Sequence, residues 1–93
     1  VIEKEVEVTY PLLISTVEST NLSKVRKQSL LLIIKSAEYY GNKLPVKSLY
    51  LKLEDALLKS AQDLAKLYLN KRYLTATEAE VILEMLQILK DKQ

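Results

Sequence analysis

The stretch VKSLYLKLEDALLKSAQDLAKLYLNKRY, residues 46–73, decides the fold of this 93-residue chain. Its apolar side chains recur every three or four residues, the spacing that places them on one face of an α-helix. A second row, Leu51, Leu58 and Ala65, repeats every seven residues on another side. Because a helix rises about 1.5 Å per residue, this one would span roughly 40 Å. We expect other helices to pack along both its sides.

Two helices are predicted before this stretch. Pro11 suits the first turn of a short helix over residues 12–20. Ser23 is a favourable N-cap for a second helix over residues 24–40, whose apolar positions cover more than half its circumference. We therefore expect this second helix to be the most buried. Gly41 follows it, where a left-handed C-cap residue is common.

A last helix is predicted after the long one, running to about residue 90. Thr75 and Glu78 have the spacing of a capping box, and Thr77 with Glu80 offers the same box two residues later. Either box starts a helix with one apolar face and an acidic outer row.

The N-terminal residues follow a different pattern. Val6, Val8 and Tyr10 alternate with polar residues, which is the period of an extended, half-buried segment. The sequence thus predicts an all-α fold: a small antiparallel bundle of three main helices and a short N-terminal helix around one long helix. The chain forms a single domain, in which residues 1–10 are an extended arm and residues 11–93 the bundle.

Composition argues against catalysis. The chain has no cysteine and no histidine, so the common transition-metal ligands, the usual general base and the thiol nucleophile are all missing. Glu54 and Asp55 are adjacent and would point about 100° apart on a helix, which prevents them from sharing one site. We predict a protein that is not an enzyme and that uses no cofactor, metal or small-molecule substrate.

Hydropathy and composition also suggest where the chain works. Its longest apolar run, residues 30–34, is far shorter than a membrane span, so we expect no membrane partner and a cytoplasmic location. The single methionine, the missing cysteine and histidine and the many Lys and Glu residues are compatible with a thermophilic source.

Charge is distributed unevenly. Residues 23–72 carry eleven bases and four acids, whereas residues 1–22 carry one base and four acids and residues 73–93 two bases and four acids. A basic middle attracts an anionic partner or the acidic ends of the chain itself. Cations interleaved with tyrosines resemble single-strand binding surfaces. The candidate nucleic-acid-binding residues are Lys24, Arg26, Lys27, Lys35, Lys66, Lys71, Arg72 and Tyr73.

Two DNA-binding geometries are considered. Ala37 and Gly41, followed by a turn and a new helix, have the spacing of a helix-turn-helix, although the following helix is too long for a recognition helix. A strand followed by two helices would also suit a ribbon-helix-helix dimer, but Glu3, Glu5 and Glu7 would make the ribbon acidic.

The apolar content exceeds what a small monomer covers comfortably, and contiguous leftover apolar surface usually marks a partner site. The candidate protein-interface residues lie off the main stripes: Leu31, Leu51, Leu58, Leu69 and Val81. We predict a non-catalytic accessory subunit that docks onto a larger protein or onto itself, within a nucleic-acid-processing assembly such as a DNA polymerase. The alternatives are a small DNA-binding regulator and a purely structural homo-oligomer.

Overall fold

The computed structural model describes residues 8–45 and 47–91, which form four helices. They are α1 (Tyr10–Glu18), α2 (Lys24–Gly41), α3 (Ser48–Asn70) and α4 (Ala76–Asp91). This confirms the predicted small all-α bundle of three main helices and one short one. The predicted arm over residues 1–10 lies mostly outside the described residues. Its predicted end at Tyr10 is wrong, because Tyr10 is the first residue of α1.

The three long helices pack side by side, each antiparallel to the next, and α1 packs against the two outer ones. α3 lies between α2 and α4, while α1 contacts both α2 and α4. The direction of α2 and α3 follows from Tyr68 near the end of α3, whose hydroxyl lies 3.5 Å from the carbonyl oxygen of Arg26 near the start of α2. The Gln62 side-chain amide of α3 donates to Gln87 Oε1 of α4 at 3.2 Å. These two residues lie at roughly similar distances from the turn that joins the helices, as in an antiparallel pair. The long helix is thus the central element, as predicted.

The core is built from one face of each helix. α1 contributes Leu13 and Val17 to the core. Leu22, between α1 and α2, and Leu74, between α3 and α4, are also buried there. The buried apolar residues of the three long helices are Leu30, Leu31, Ile34 and Ala37 of α2, Leu58, Ala61, Ala65 and Tyr68 of α3, and Ala79, Ile82, Met85, Leu86 and Leu89 of α4.

Local side-chain caps begin α1 and α2. The Thr9 hydroxyl accepts a hydrogen bond from the Leu12 amide at 3.3 Å, and Pro11 occupies the first turn, so α1 starts two residues earlier than predicted. Ser23 caps α2 by accepting from the Arg26 amide at 3.4 Å.

The long helix is shorter than the predicted 46–73. It starts at Ser48 and ends at Asn70, because Arg72 adopts a left-handed φ of 62°. The Tyr73 amide then donates to the Tyr68 carbonyl at 2.8 Å and the Arg72 amide to the Leu69 carbonyl at 3.0 Å. This pair of bonds is a Schellman motif, formed here with arginine where glycine is usual.

Gly41 has a different role from the predicted left-handed cap. It is the last residue of α2, and its φ is not positive. A Cβ at this position would collide with the Glu54 carboxylate of α3 and lie 2.8 Å from its carboxyl carbon. Glu54 is buried and accepts a hydrogen bond from the Tyr10 hydroxyl of α1. Burial and this bond raise the pKa of Tyr10 above its ordinary value near 10. Gly41 thus makes room for a carboxylate that links α1 to α3.

We predict that Gly41→Ala destabilises the protein by about 1 kcal/mol. Alanine normally stabilises a helix relative to glycine, but here its methyl group displaces a buried, hydrogen-bonded carboxylate. Urea unfolding at pH 7 measures the effect, with exposed Asn42→Ala as the control. In a Glu54→Ala background the sign should reverse, and a loss of equal size there would contradict the steric explanation.

The start of α4 follows the first of the two predicted boxes. The Thr75 amide donates to Glu78 Oε1 at 3.1 Å and the Glu78 amide to Thr75 Oγ1 at 3.2 Å. The Asn21 amide, from the segment between α1 and α2, donates to Glu78 Oε2 at 3.3 Å. The Thr75 backbone bond is the main cause that lowers the pKa of Glu78 below 4.5. One half-buried carboxylate therefore accepts hydrogen bonds from two segments of the chain.

We predict that Glu78→Gln flattens the acid limb of the stability profile. A carboxylate whose folded pKa is depressed contributes stability that is fully present above the unfolded pKa and is lost as pH falls through the folded value. The difference between wild type and variant should therefore shrink as the pH drops from about 5 to about 3. Unfolding by urea at several pH values checks this. Thr77→Ala, which alters the second possible box, should follow the wild type throughout; if it matches the glutamine variant instead, the first box is not the cap.

Candidate docking surface

The structure separates the five predicted interface residues. Leu31 and Leu58 are buried, so placing them at an outer surface was wrong. Leu51 and Leu58 therefore do not form one exposed row. α3 packs between two helices, and Leu58 belongs to the core. Leu69 is partly buried against the core. Leu51 and Val81 are exposed, at 38% and 42%, but they lie on different helices.

A more exposed apolar row lies on α2. Val25, Leu32 and Tyr39 are 72%, 68% and 59% exposed, and seven residues separate each from the next. Since seven residues advance a helix by almost two full turns, the three side chains form one line. We call Val25, Ser29, Leu32, Ser36 and Tyr39 the α2 seam. Their spacing of four, three, four and three is that of alternate core positions in a coiled coil.

The hydroxyl groups of the two seam serines are already hydrogen-bonded within α2. The Ser29 hydroxyl donates to the Val25 carbonyl at 3.1 Å, and the Ser36 hydroxyl donates to the Leu32 carbonyl at 2.8 Å. Each donor is thus satisfied by the backbone of its own helix, so an apolar group laid over it would not leave the hydroxyl hydrogen without a bond. The small side chains also leave depressions between the three large ones.

The seam lies on the side of α2 opposite the core. Leu30 and Ile34, two residues before and after Leu32, are fully buried. Two residues turn a helix by about 200°, so both point away from the Leu32 direction. α2 therefore carries apolar side chains on two opposite sides. The prediction that it would be the most buried helix was wrong, because its neighbours cover only one of them.

Basic side chains flank the seam. Lys24 and Lys35 are exposed, and the helical period places both on the same flank as Gln28. The only acid of α2, Glu38, is half-buried and follows Leu32 by six residues, which places it about 120° away around the helix. The outer side of α2 is accordingly apolar at its centre and positive at its edge.

An aromatic cluster that the sequence did not suggest lies where the seam ends. Tyr39 meets Tyr40 edge to face with ring centroids 5.3 Å apart, and Tyr40 stacks on Tyr50 of α3 at 6.1 Å. Lys43 Nζ lies 5.0 Å from the ring centroids of Tyr39 and Tyr50 and 3.2 Å from the Tyr39 hydroxyl, whose hydrogen bond raises the pKa of Lys43. Two exposed leucines, Leu44 and Leu49, are close in sequence to this cluster.

The predicted basic and aromatic residues meet only in part, at the other end of the bundle. The Arg26 guanidinium lies 3.5 Å from the ring centroid of Tyr73, and Tyr68 packs edge to face against the same ring at 6.0 Å. One face of Tyr73 is thus already covered by an arginine of the same chain. Lys27 donates to the Glu18 carbonyl at 2.8 Å.

The remaining predicted cations are distributed along the bundle. Lys71 and Arg72 are exposed in the turn that carries Tyr73, and Lys24 begins α2 at the same end. Lys66 is exposed about one turn before the end of α3. Lys35 lies nine residues after Arg26, roughly 13 Å along α2, and is not part of this end.

The chain matches no protein-family model, no curated protein and no solved structure. Within residues 8–45 and 47–91, no three carboxylate, imidazole or thiol side chains lie together as metal ligands would. No helix in this part of the chain combines the length and hydropathy needed to cross a bilayer.

The seam residues escaped prediction although a sequence signal for them exists. Val25, Leu32 and Tyr39 belong to the apolar positions of the predicted helix over residues 24–40, which the sequence predicts to be the most buried helix. The core positions Leu30 and Ala37 are also seven residues apart, so the interval alone does not separate the two sets. What marks the seam is that serines stand between its large residues and that lysines border it. The apolar positions of α2 thus form two opposite rows, and the serines and lysines mark the outer one.

Proposed function

We propose that this chain is a non-catalytic accessory subunit that docks onto a larger protein through the α2 seam. The observation that carries the proposal is the line of Val25, Leu32 and Tyr39, each more than half exposed. Single exposed leucines are ordinary, but aligned apolar side chains on one outer face typically mark a protein interface. The absence of cysteine and histidine from the sequence supports a role in binding.

The seam resembles the apolar centre of a small protein interface. Complete burial of a large apolar side chain contributes roughly 1.5–3 kcal/mol, so three anchors contribute on the order of 5 kcal/mol before the cost of association. Tyr39 adds an aromatic ring with a hydroxyl at its tip, the kind of residue enriched among binding hot spots. Two further exposed leucines follow Tyr39 in the chain: Leu44, between α2 and α3, and Leu49, in the first turn of α3.

A nucleic-acid-processing assembly such as a DNA polymerase is the host we propose. Its support is the basic middle of the chain, residues 23–72, with eleven bases and four acids. A subunit with this charge would be attracted to an assembly that already holds a polyanion.

We predict that Leu32→Ser removes the partner while leaving the fold intact. Tagged wild type should capture one polypeptide in a fixed molar ratio from its native cell, and Leu32→Ser should not, because the central anchor of the seam is gone. Leu67→Ser, a change at a 47% exposed leucine of α3, is the matched control and should capture as wild type does. Circular dichroism verifies folding of all three. If Leu32→Ser retains the same polypeptide in the same ratio, docking through the seam is wrong.

A small DNA-binding regulator is the second candidate. Its support is the end of the bundle where Lys24, Arg26, Lys71, Arg72 and Tyr73 come from two segments of the chain. Phosphate contacts require such cations. Most of the ribbon of a ribbon-helix-helix lies outside the described residues, and Tyr10 at its end is helical. The helix after the α2–α3 loop has 23 residues, long for a recognition helix.

Salt dependence separates the two candidates. A regulator with about five phosphate contacts should lose roughly 10²–10³ in duplex affinity between 50 and 200 mM salt. We predict that the accessory subunit, measured by fluorescence anisotropy with a labelled 30-base-pair duplex, binds no more tightly than non-specific proteins at 200 mM salt. Submicromolar binding there, lost in a Lys71→Glu, Arg72→Glu double variant, would favour the regulator.

A further inference from the structure

We propose that the element seated on the α2 seam is an acidic amphipathic helix of the partner protein. This inference rests on the proposed docking function and specifies the chemistry of its partner. It follows from three features of α2: the spacing of the seam, the alternation of large and small side chains, and the charge of its border.

The spacing selects a helix as the occupant. Val25, Leu32 and Tyr39 form one narrow line about 21 Å long, and the intervening serines complete a repeat of 3.5 residues. A second helix running along such a line meets it with the same repeat over about four turns. Apolar side chains of that helix would fill the depressions at Ser29 and Ser36 and lie between the three large residues.

The charge of α2 selects an acidic helix. The sequence of α2 contains four basic residues, Lys24, Arg26, Lys27 and Lys35, and one acid, Glu38. Arg26 and Lys27 are engaged with Tyr73 and the Glu18 carbonyl, whereas Lys24 and Lys35 are exposed beside the seam. Carboxylates bordering the apolar stripe of the partner would face these two lysines, eleven residues or about three turns apart.

The same charges disfavour two other occupants. A second copy of α2 would bring two helices with this excess of positive charge into contact, which is repulsive at close range. A nucleic acid would meet the lysines with its phosphates, but it would leave the apolar line without apolar contacts. An acidic helix satisfies both the apolar line and its border.

A pair of designed peptides tests the proposal against the intact chain. Both have four heptads with leucine at the two core positions; one carries glutamate and the other lysine at the positions that border them. Each is labelled with fluorescein and titrated with the protein at 50 mM salt. We expect the acidic peptide to bind with a micromolar Kd and the basic peptide to bind at least about tenfold more weakly.

Variants of the chain identify the contacts. Leu32→Ser should abolish binding of the acidic peptide, while Leu67→Ser should leave it unchanged. The double variant Lys24→Glu, Lys35→Glu should weaken the acidic peptide about tenfold and strengthen the basic one, since the border charges are reversed. Raising the salt to 500 mM should reduce the difference between the two peptides.

Several outcomes would overturn the inference: no binding of the acidic peptide, equal binding of both peptides, or indifference to the lysine reversal. Dimerisation of the chain that Leu32→Ser abolishes would assign the seam to a second copy, and competition by duplex DNA would assign it to nucleic acid. If the inference fails while Leu32→Ser still loses the natural partner, docking through the seam stands and only the acidic helix is wrong. If that partner is retained, the docking function itself fails.

Discussion

Helix α2 has apolar side chains on two opposite sides, and its neighbours α1 and α3 cover only one of them. Leu30, Ile34 and Ala37 enter the core, where α1 and α3 supply their contacts. Val25, Leu32 and Tyr39 point the other way and are exposed. Transfer of apolar surface out of water is favourable, so the inner side of α2 stabilises the bundle, and the outer side is the surface on which the proposed docking rests.

The remaining structure keeps the seam turned outwards. α3 packs against α2, and near the loop that joins them the Glu54 carboxylate lies against Gly41 and accepts a hydrogen bond from Tyr10. At the opposite end the Arg26 guanidinium lies over the ring of Tyr73, in the turn after α3, and the hydroxyl of Tyr68, in the last turn of α3, lies 3.5 Å from the Arg26 carbonyl oxygen. These contacts at both ends of α2 oppose rotation about its axis. A helix with two apolar sides needs such constraints, because hydrophobic burial alone does not decide which side faces inwards.

The parts of the fold that were predictable from sequence depend on neighbouring residues. Ser23 and the Thr75–Glu78 box begin their helices as predicted, because a cap is made between a side chain and the backbone three residues away. Contacts between distant residues were not predictable. Gly41 is required by Glu54, thirteen positions later, and α3 ends through a left-handed Arg72 where sequence rules anticipate glycine or asparagine. Which leucines of α2 and α3 enter the core also depends on packing, so Leu31 and Leu58 were assigned to the wrong side.

Two adjacent leucines of α2 provide the most direct test of this two-sided helix. Leu31 is buried and Leu32 is 68% exposed, so the same substitution at each position should have very different consequences. We predict that Leu31→Ala lowers the free energy of unfolding in urea by at least about 2 kcal/mol, whereas Leu32→Ala changes it by less than about 0.5 kcal/mol. Similar losses at both positions would show that Leu32 is buried in solution, and the seam would then not be available to a partner.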